Sequence, residues 1–116
     1  CWVALDRALL LQGRGWLDGD GAWWRAQRAR VCRELLQHGF DRERGTFLQA
    51  IGAPQLDATA LAVPLVGLLP ADDPRVLSTL AAVERELTSG DLVHRYRIDD
   101  GLPGREGAFV ACCFWR

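Results

Sequence analysis

The sequence predicts an all-α chain whose connecting loops carry short β insertions. Three observations predict it. Apolar residues recur at helical spacing in five segments. Asp, Pro and Gly stand where those segments start or stop. Short extended stretches, bounded by turn residues, follow the second and fourth segments.

The first segment, residues 2–12, carries Trp2, Leu5 and Leu9 on one stripe with Val3 and Leu10 beside it. Gly13 and Gly15 end it. Asp20 is placed to cap a second helix through Trp24, Arg28, Val31 and Leu35, which Gly39 stops. These two helices form a hairpin with a short connection. In residues 40–49 the pattern changes to a turn between two short extended pieces, with Asp41 and Gly45 supplying the turn chemistry. Asp57 opens a third helix predicted over residues 58–69, where Pro64 implies a kink or an early end. Asp73 as N-cap and Pro74 at the first position open a fourth, through Val76, Leu80, Val83 and Leu87. A short extended piece, residues 92–98, leads into a Gly-rich loop, and a final helix is predicted to start near Glu106. The helix pairs recur at roughly fifty residues, within the range of stacked helical repeats.

Composition narrows the function classes. The chain has 116 residues and a net charge of −1, which leaves no basic footprint for nucleic acid. No apolar run is long enough for a membrane span. Cys1, Cys32, Cys112 and Cys113 form no C-x-x-C pair, and the two His do not stand near them at ligand spacing. A metal site is therefore not expected, nor any cofactor. Cys112 and Cys113 read as small buried hydrophobes in an apolar run. Reduced thiols suit a cytoplasmic setting. The sequence has no Met and opens and closes within helical patterns, so we expect an internal piece of a larger domain, incomplete at both ends.

The stretch 95–115, RYRIDDGLPGREGAFVACCFW, concentrates the chemistry. A charged, Gly-rich loop stops at Glu106 and an apolar run begins at once. A carboxylate in a first helical turn feels the positive end of the macrodipole, which favours its ionised form. Glu106 is thus a candidate base, although pattern alone favours a helix-capping or surface glutamate. Arg95 and Arg97 fall on one face of the extended piece by alternation, with Tyr96 on the other. Arg95 offers a fork of donors to a hydroxyl-bearing ligand or to an ion pair with Asp99 or Asp100. Asp99 and Asp100 read first as turn formers, with a direct ligand contact from Asp100 as the alternative. Asp57 reads as an N-cap, with a place beside the site as the lesser alternative. Trp2, Trp24 and Trp115 fall on core stripes. Trp16, in a connecting loop, is the candidate for an exposed stacking face.

The chain resembles the bacterial members of glycoside hydrolase family 15. The matching blocks are Cys1-Trp2-Val3-Ala4-Leu5-Asp6-Arg7-Ala8; Leu56-Asp57-Ala58-Thr59-Ala60-Leu61 with Pro64-Leu65-Val66-Gly67; and Asp72-Asp73-Pro74-Arg75-Val76. They continue as Tyr96-Arg97, Asp100-Gly101-Leu102-Pro103-Gly104, Glu106-Gly107-Ala108-Phe109, Cys112 and Phe114-Trp115. They follow in order over essentially the whole chain. The family usually has Ser before its Phe-Trp pair, where this chain has Cys113.

The resemblance implies a glucoamylase-like or trehalase-like enzyme and a partial (α/α)6 barrel, or toroid. It implies an inverting exo-acting hydrolase releasing glucose from α-glucans or trehalose, with Glu106 as general base and the general acid upstream of Cys1. An inverting pair of carboxyl groups stands roughly 6.5–9.5 Å apart to admit a water molecule. Arg95, Tyr96, Asp100 and Trp16 are the candidate substrate contacts. The implied partners are an oligosaccharide or disaccharide substrate and the remainder of the barrel, with no nucleic acid and no membrane. By itself the piece is expected to be inactive. Helical periodicity alone fits a second reading equally well: a non-catalytic α/α-toroid module that binds carbohydrate or serves as a helical-repeat interaction surface.

Overall fold

The computed structural model describes residues 1–97 and 107–116. The chain divides into two compact units, Cys1–Gln37 and His38–Arg116.

The first unit is the predicted helical hairpin. Helix α1 spans Trp2–Gly13, and α2 spans Gly21–His38, its last residue reaching into the second unit. The Asp20 side chain accepts a hydrogen bond from the Trp23 N–H at 2.9 Å, so the expected cap is in place. The Gln12 side chain closes the connection by donating to the Gly19 carbonyl at 2.6 Å. Asp6 joins the two helices through an ion pair with Arg28 at 2.7 Å. Helix α1 buries no residue, and in α2 only Gly21 is buried. Trp2 and Trp24, expected in a core, are half-buried. The stripes are only partly covered: Trp2, Leu5, Leu9, Trp24, Val31 and Leu35 are all half-buried.

The second unit holds the core. Strands β1 (Phe40–Asp41) and β2 (Thr46–Phe47) pair antiparallel, Phe40 opposite Phe47, with their rings edge to face at 5.1 Å. Asp41 shapes the turn by accepting from the Glu43 and Arg44 N–H groups. Helix α4 (Pro74–Leu87) starts at the predicted cap, where Asp73 accepts from the Arg75 N–H at 2.9 Å. It buries Val76, Thr79, Ala82, Val83 and Leu87, a stripe at helical spacing. Leu56, Ala58, Leu61, Val93 and Cys112 close the core over that stripe, with Leu80, Cys113 and Trp115 packed at its edge.

Three expectations need correction. The helix predicted over 58–69 is a 3₁₀ turn, Ala58–Leu61, followed by a single α turn, α3 (Ala62–Leu65). It ends in a Schellman arrangement: Leu68 N–H donates to the Val63 carbonyl and Gly67 N–H to that of Pro64. Gly67, at φ +81°, supplies the left-handed residue this requires. The extended piece is also shorter than residues 92–98. Strands β3 (Thr88–Ser89) and β4 (Leu92–Val93) form a tight hairpin, and only a single bridge, His94 to Ala108, continues it. Finally, helix α5 spans Val110–Trp115 and does not start near Glu106. Ala108 and Phe109 are drawn into pairing with His94 and Val93 instead, and tertiary hydrogen bonding overrides the helical pattern there. No helix among the described residues is long and apolar enough to cross a membrane.

Candidate active site

The chain on either side of segment 98–106 is fixed by hydrogen bonds. On the incoming side, the His94 N–H donates to the Leu87 carbonyl at 2.9 Å, and the Arg95 carbonyl accepts from the Ala58 N–H at 2.8 Å. Arg97 donates through Nη2 to the Thr88 carbonyl at 3.2 Å and to Ser89 Oγ at 2.6 Å. On the outgoing side, Ala108 bridges His94, and the Phe109 N–H donates to the Val93 carbonyl at 2.8 Å. Both ends of the segment are thereby tied to one hairpin, β3–β4. Glu106 and Asp100 lie within 98–106, outside the described residues, as does Asp99.

Arg95 and Tyr96 come together at the incoming end. The Arg95 guanidinium lies over the Tyr96 ring, 5.4 Å from its centroid. Its Nε donates to Asp57 Oδ2 at 3.2 Å. Asp57 spends its other oxygen, Oδ1, on the Thr59 N–H at 2.8 Å, the N-cap bond of the 3₁₀ turn. The Asp57 side chain is 3% exposed and that of Arg95 43%. The pair therefore spans from the core to the surface at the mouth of the segment. Alternation had put Arg95 and Arg97 on one face. They instead serve different partners, Asp57 and the β3 backbone, because the strand ends at Val93.

Cys112 lies behind Asp57. Burial pushes its thiol up from the ordinary value, the Asp57 and Cys113 charges add to the rise, and Arg95 opposes it. The thiol stays protonated at neutral pH. Cys113 Sγ accepts from the Val93 N–H at 3.2 Å, so this cysteine fastens α5 to β4. All four cysteines are free. Among the described residues, no group of three or more His, Cys, Asp or Glu could hold a metal ion.

A small cleft of about 180 Å³ opens beside Arg97. Arg44, Gln55 and Glu86 line it, with Leu56 and Leu87 forming apolar wall. Arg44 pairs with Glu86 at 2.9 Å and donates to the Pro54 carbonyl. Sequence reasoning missed these residues. They come from three separate segments, and no local pattern links them. Trp16 belongs to the first unit, is 72% exposed, and carries the Arg14 guanidinium 5.5 Å from its ring centroid.

The family model for glycosyl hydrolases family 15 matches residues 1–116. A trehalase of Mycobacterium tuberculosis is 47% identical over 118 residues, covering 99% of this chain and 17% of that protein. A trehalase of Thermoplasma volcanium is 37% identical over 98% of this chain and 18% of its own length. The chain thus spans about a fifth of the curated relatives it matches. Among solved structures, a glycosidase with a glutamate-to-alanine substitution, in complex with glucose, superposes with a TM-score of 0.74. That match has 26% identity and covers 98% of this chain and 29% of the other. A wild-type glycosidase structure superposes with a TM-score of 0.69 at 27% identity, over 82% of this chain and 25% of that one.

Proposed function

The chain belongs to glycosyl hydrolase family 15, and from that membership we propose that it is the base-carrying part of an inverting glycoside hydrolase acting on trehalose. The observation that carries the substrate is the set of relatives named trehalase, 35–47% identical over nearly the whole chain. The glucose in the complexed glycosidase structure suits a glucose-releasing reaction. α-1,4-Linked glucans are the alternative substrate within the same reaction class.

In this reading Glu106 is the general base. It removes a proton from water as that water attacks the anomeric carbon, while a glutamic acid elsewhere in the protein protonates the leaving oxygen. Arg95 and Tyr96 contact the sugar at the mouth of the segment, and Asp100 does so within it. Trp16 offers a stacking face. The support for Glu106 is its place in the family motif, just before the fixed outgoing end at Ala108 and Phe109. The helix dipole no longer contributes to that assignment, because α5 begins at Val110. The barrel would be an (α/α)6 toroid completed by the rest of the polypeptide, and free thiols fit the cytoplasm as its setting.

The test uses the complete polypeptide that carries this chain, with trehalose and maltose as substrates and the anomer of the first product recorded. Glu106→Gln is expected to lower kcat by about 10²–10⁴-fold. Near-normal turnover by this variant removes Glu106 from the role of base.

A further inference from the structure

We propose that Asp57 is a positioning residue: its buried carboxylate holds the Arg95 guanidinium, and through it the incoming end of the segment that carries Glu106. The inference rests on the reading of Glu106 as the base.

The argument starts from the cost of the carboxylate. An N-cap needs only one side-chain oxygen, and Asn, Ser or Thr supplies it as well as Asp does. The 3₁₀ turn at Ala58 draws on Oδ1 alone. Yet this cap is a carboxylate with only 3% of its side chain exposed, and a buried charge is expensive unless it is paired. The second oxygen accounts for the choice. Oδ2 accepts from Arg95 Nε, 38 positions along the chain. The backbones are joined at the same place, where the Ala58 N–H donates to the Arg95 carbonyl at 2.8 Å.

Arg95 is therefore held twice, once by side chain and once by backbone, with both holds coming from one turn. Its guanidinium is fixed at Nε and presents the remainder over Tyr96, at the surface. Arg is suited to this arrangement because its planar fork can serve one partner while facing another. Cys112, behind Asp57, is kept as a neutral thiol and adds no rival charge. A structural tether alone would not require an Arg whose guanidinium stays half-exposed over Tyr96.

Asp57→Asn separates cap from charge. Asn keeps the Oδ1 acceptor for the Thr59 N–H and turns an amide N–H₂ toward the guanidinium. Arg95→Lys keeps a cation and removes the Nε donor. In the complete polypeptide, each variant is expected to lower kcat/KM for trehalose by about tenfold. The double variant is expected to be no worse than the weaker single, since both changes remove one interaction. Unchanged kcat/KM with a lowered Tm for Asp57→Asn means a merely structural cap and overturns the proposal. So does multiplication of the two losses in the double variant. If Asp57→Asn does not fold, Asp57→Ser, which keeps a cap acceptor and removes the carboxylate, decides: full kcat/KM overturns the proposal and a tenfold loss upholds it. Glu106→Gln is measured alongside. If it abolishes turnover while Asp57→Asn leaves kcat/KM intact, the base stands and only the positioning role falls. If Glu106→Gln turns over normally, the base assignment itself has failed and the proposal falls with it.

Discussion

Asp73 accepts three hydrogen bonds from Arg75: from its backbone N–H and Nε on Oδ1, and from Nη2 on Oδ2 at 2.7 Å. The Arg75 side-chain and backbone bonds hold its carboxyl at about 2, below the ordinary 3.8. A carboxylate whose folded value is depressed stabilises the fold fully above its unfolded value. That contribution is lost as pH falls from about 3.8 toward about 2. Asp73→Asn keeps the cap but not the charge. In thermal unfolding of the complete polypeptide, its Tm is expected to fall below that of the parent at pH 7. The gap should close between pH 4 and pH 2. A gap independent of pH would contradict the assignment. The caps at Asp20, Asp57 and Asp73 were legible as local patterns, because a cap bonds within three residues of itself. The Asp57–Arg95 pair was not. Its partners stand 38 positions apart, and only the folded chain brings a cap oxygen to a guanidinium.

At the scale of elements, α4 is held to the β1–β2 hairpin by one buried hydroxyl. Thr79 Oγ1 accepts from the Phe47 N–H at 3.0 Å and donates to the Arg75 carbonyl at 2.7 Å, with Thr79 only 1% exposed. Thr79→Val keeps the shape and leaves the Phe47 N–H buried without that acceptor. It is expected to destabilise by about 1–3 kcal/mol, measured by urea unfolding, with Thr79→Ser restoring most of the loss. Helix α4 was legible because its stripe, cap and stop agree. The segment after Asp57 was not, since its apolar residues fit a long helix and the break at Gly67 depends on backbone conformation. The start of α5 was misplaced for a related reason. Residues 107–109 lie next to an apolar run, but the unpaired edge of β4 claims their backbone.

At the scale of the molecule, the two units differ in how far they bury their own apolar side chains. The unit His38–Arg116 contains every residue of the buried core cluster. The unit Cys1–Gln37 leaves Leu10, Trp16 and Trp23 more than half exposed, and Phe114 at the other end is 85% exposed. Exposed apolar surface of this kind marks a place for neighbours. Expressed alone, the chain is expected to self-associate by size-exclusion chromatography and to release no glucose from trehalose. On the proposed reading it supplies one carboxylate where inversion needs two. A monomeric, active product would overturn the view that its exposed stripes belong against the remainder of a toroid. The helical class was legible from periodicity. The proposed closure of those helices into a toroid with the rest of the polypeptide is encoded by no spacing within this chain.

The bond from the Phe109 N–H to the Val93 carbonyl and the bridge from His94 to Ala108 do more than hold residues 107–109 against β4. They bring the two ends of segment 98–106 together independently of what lies between them. Closing a loop whose ends already meet costs free energy that grows only as the logarithm of its length. The interval can therefore be lengthened, shortened or exchanged for that of a relative at little cost in closure free energy. In evolutionary terms it is a cassette: its sequence can change, one insertion at a time, without renegotiating the fold of its flanks.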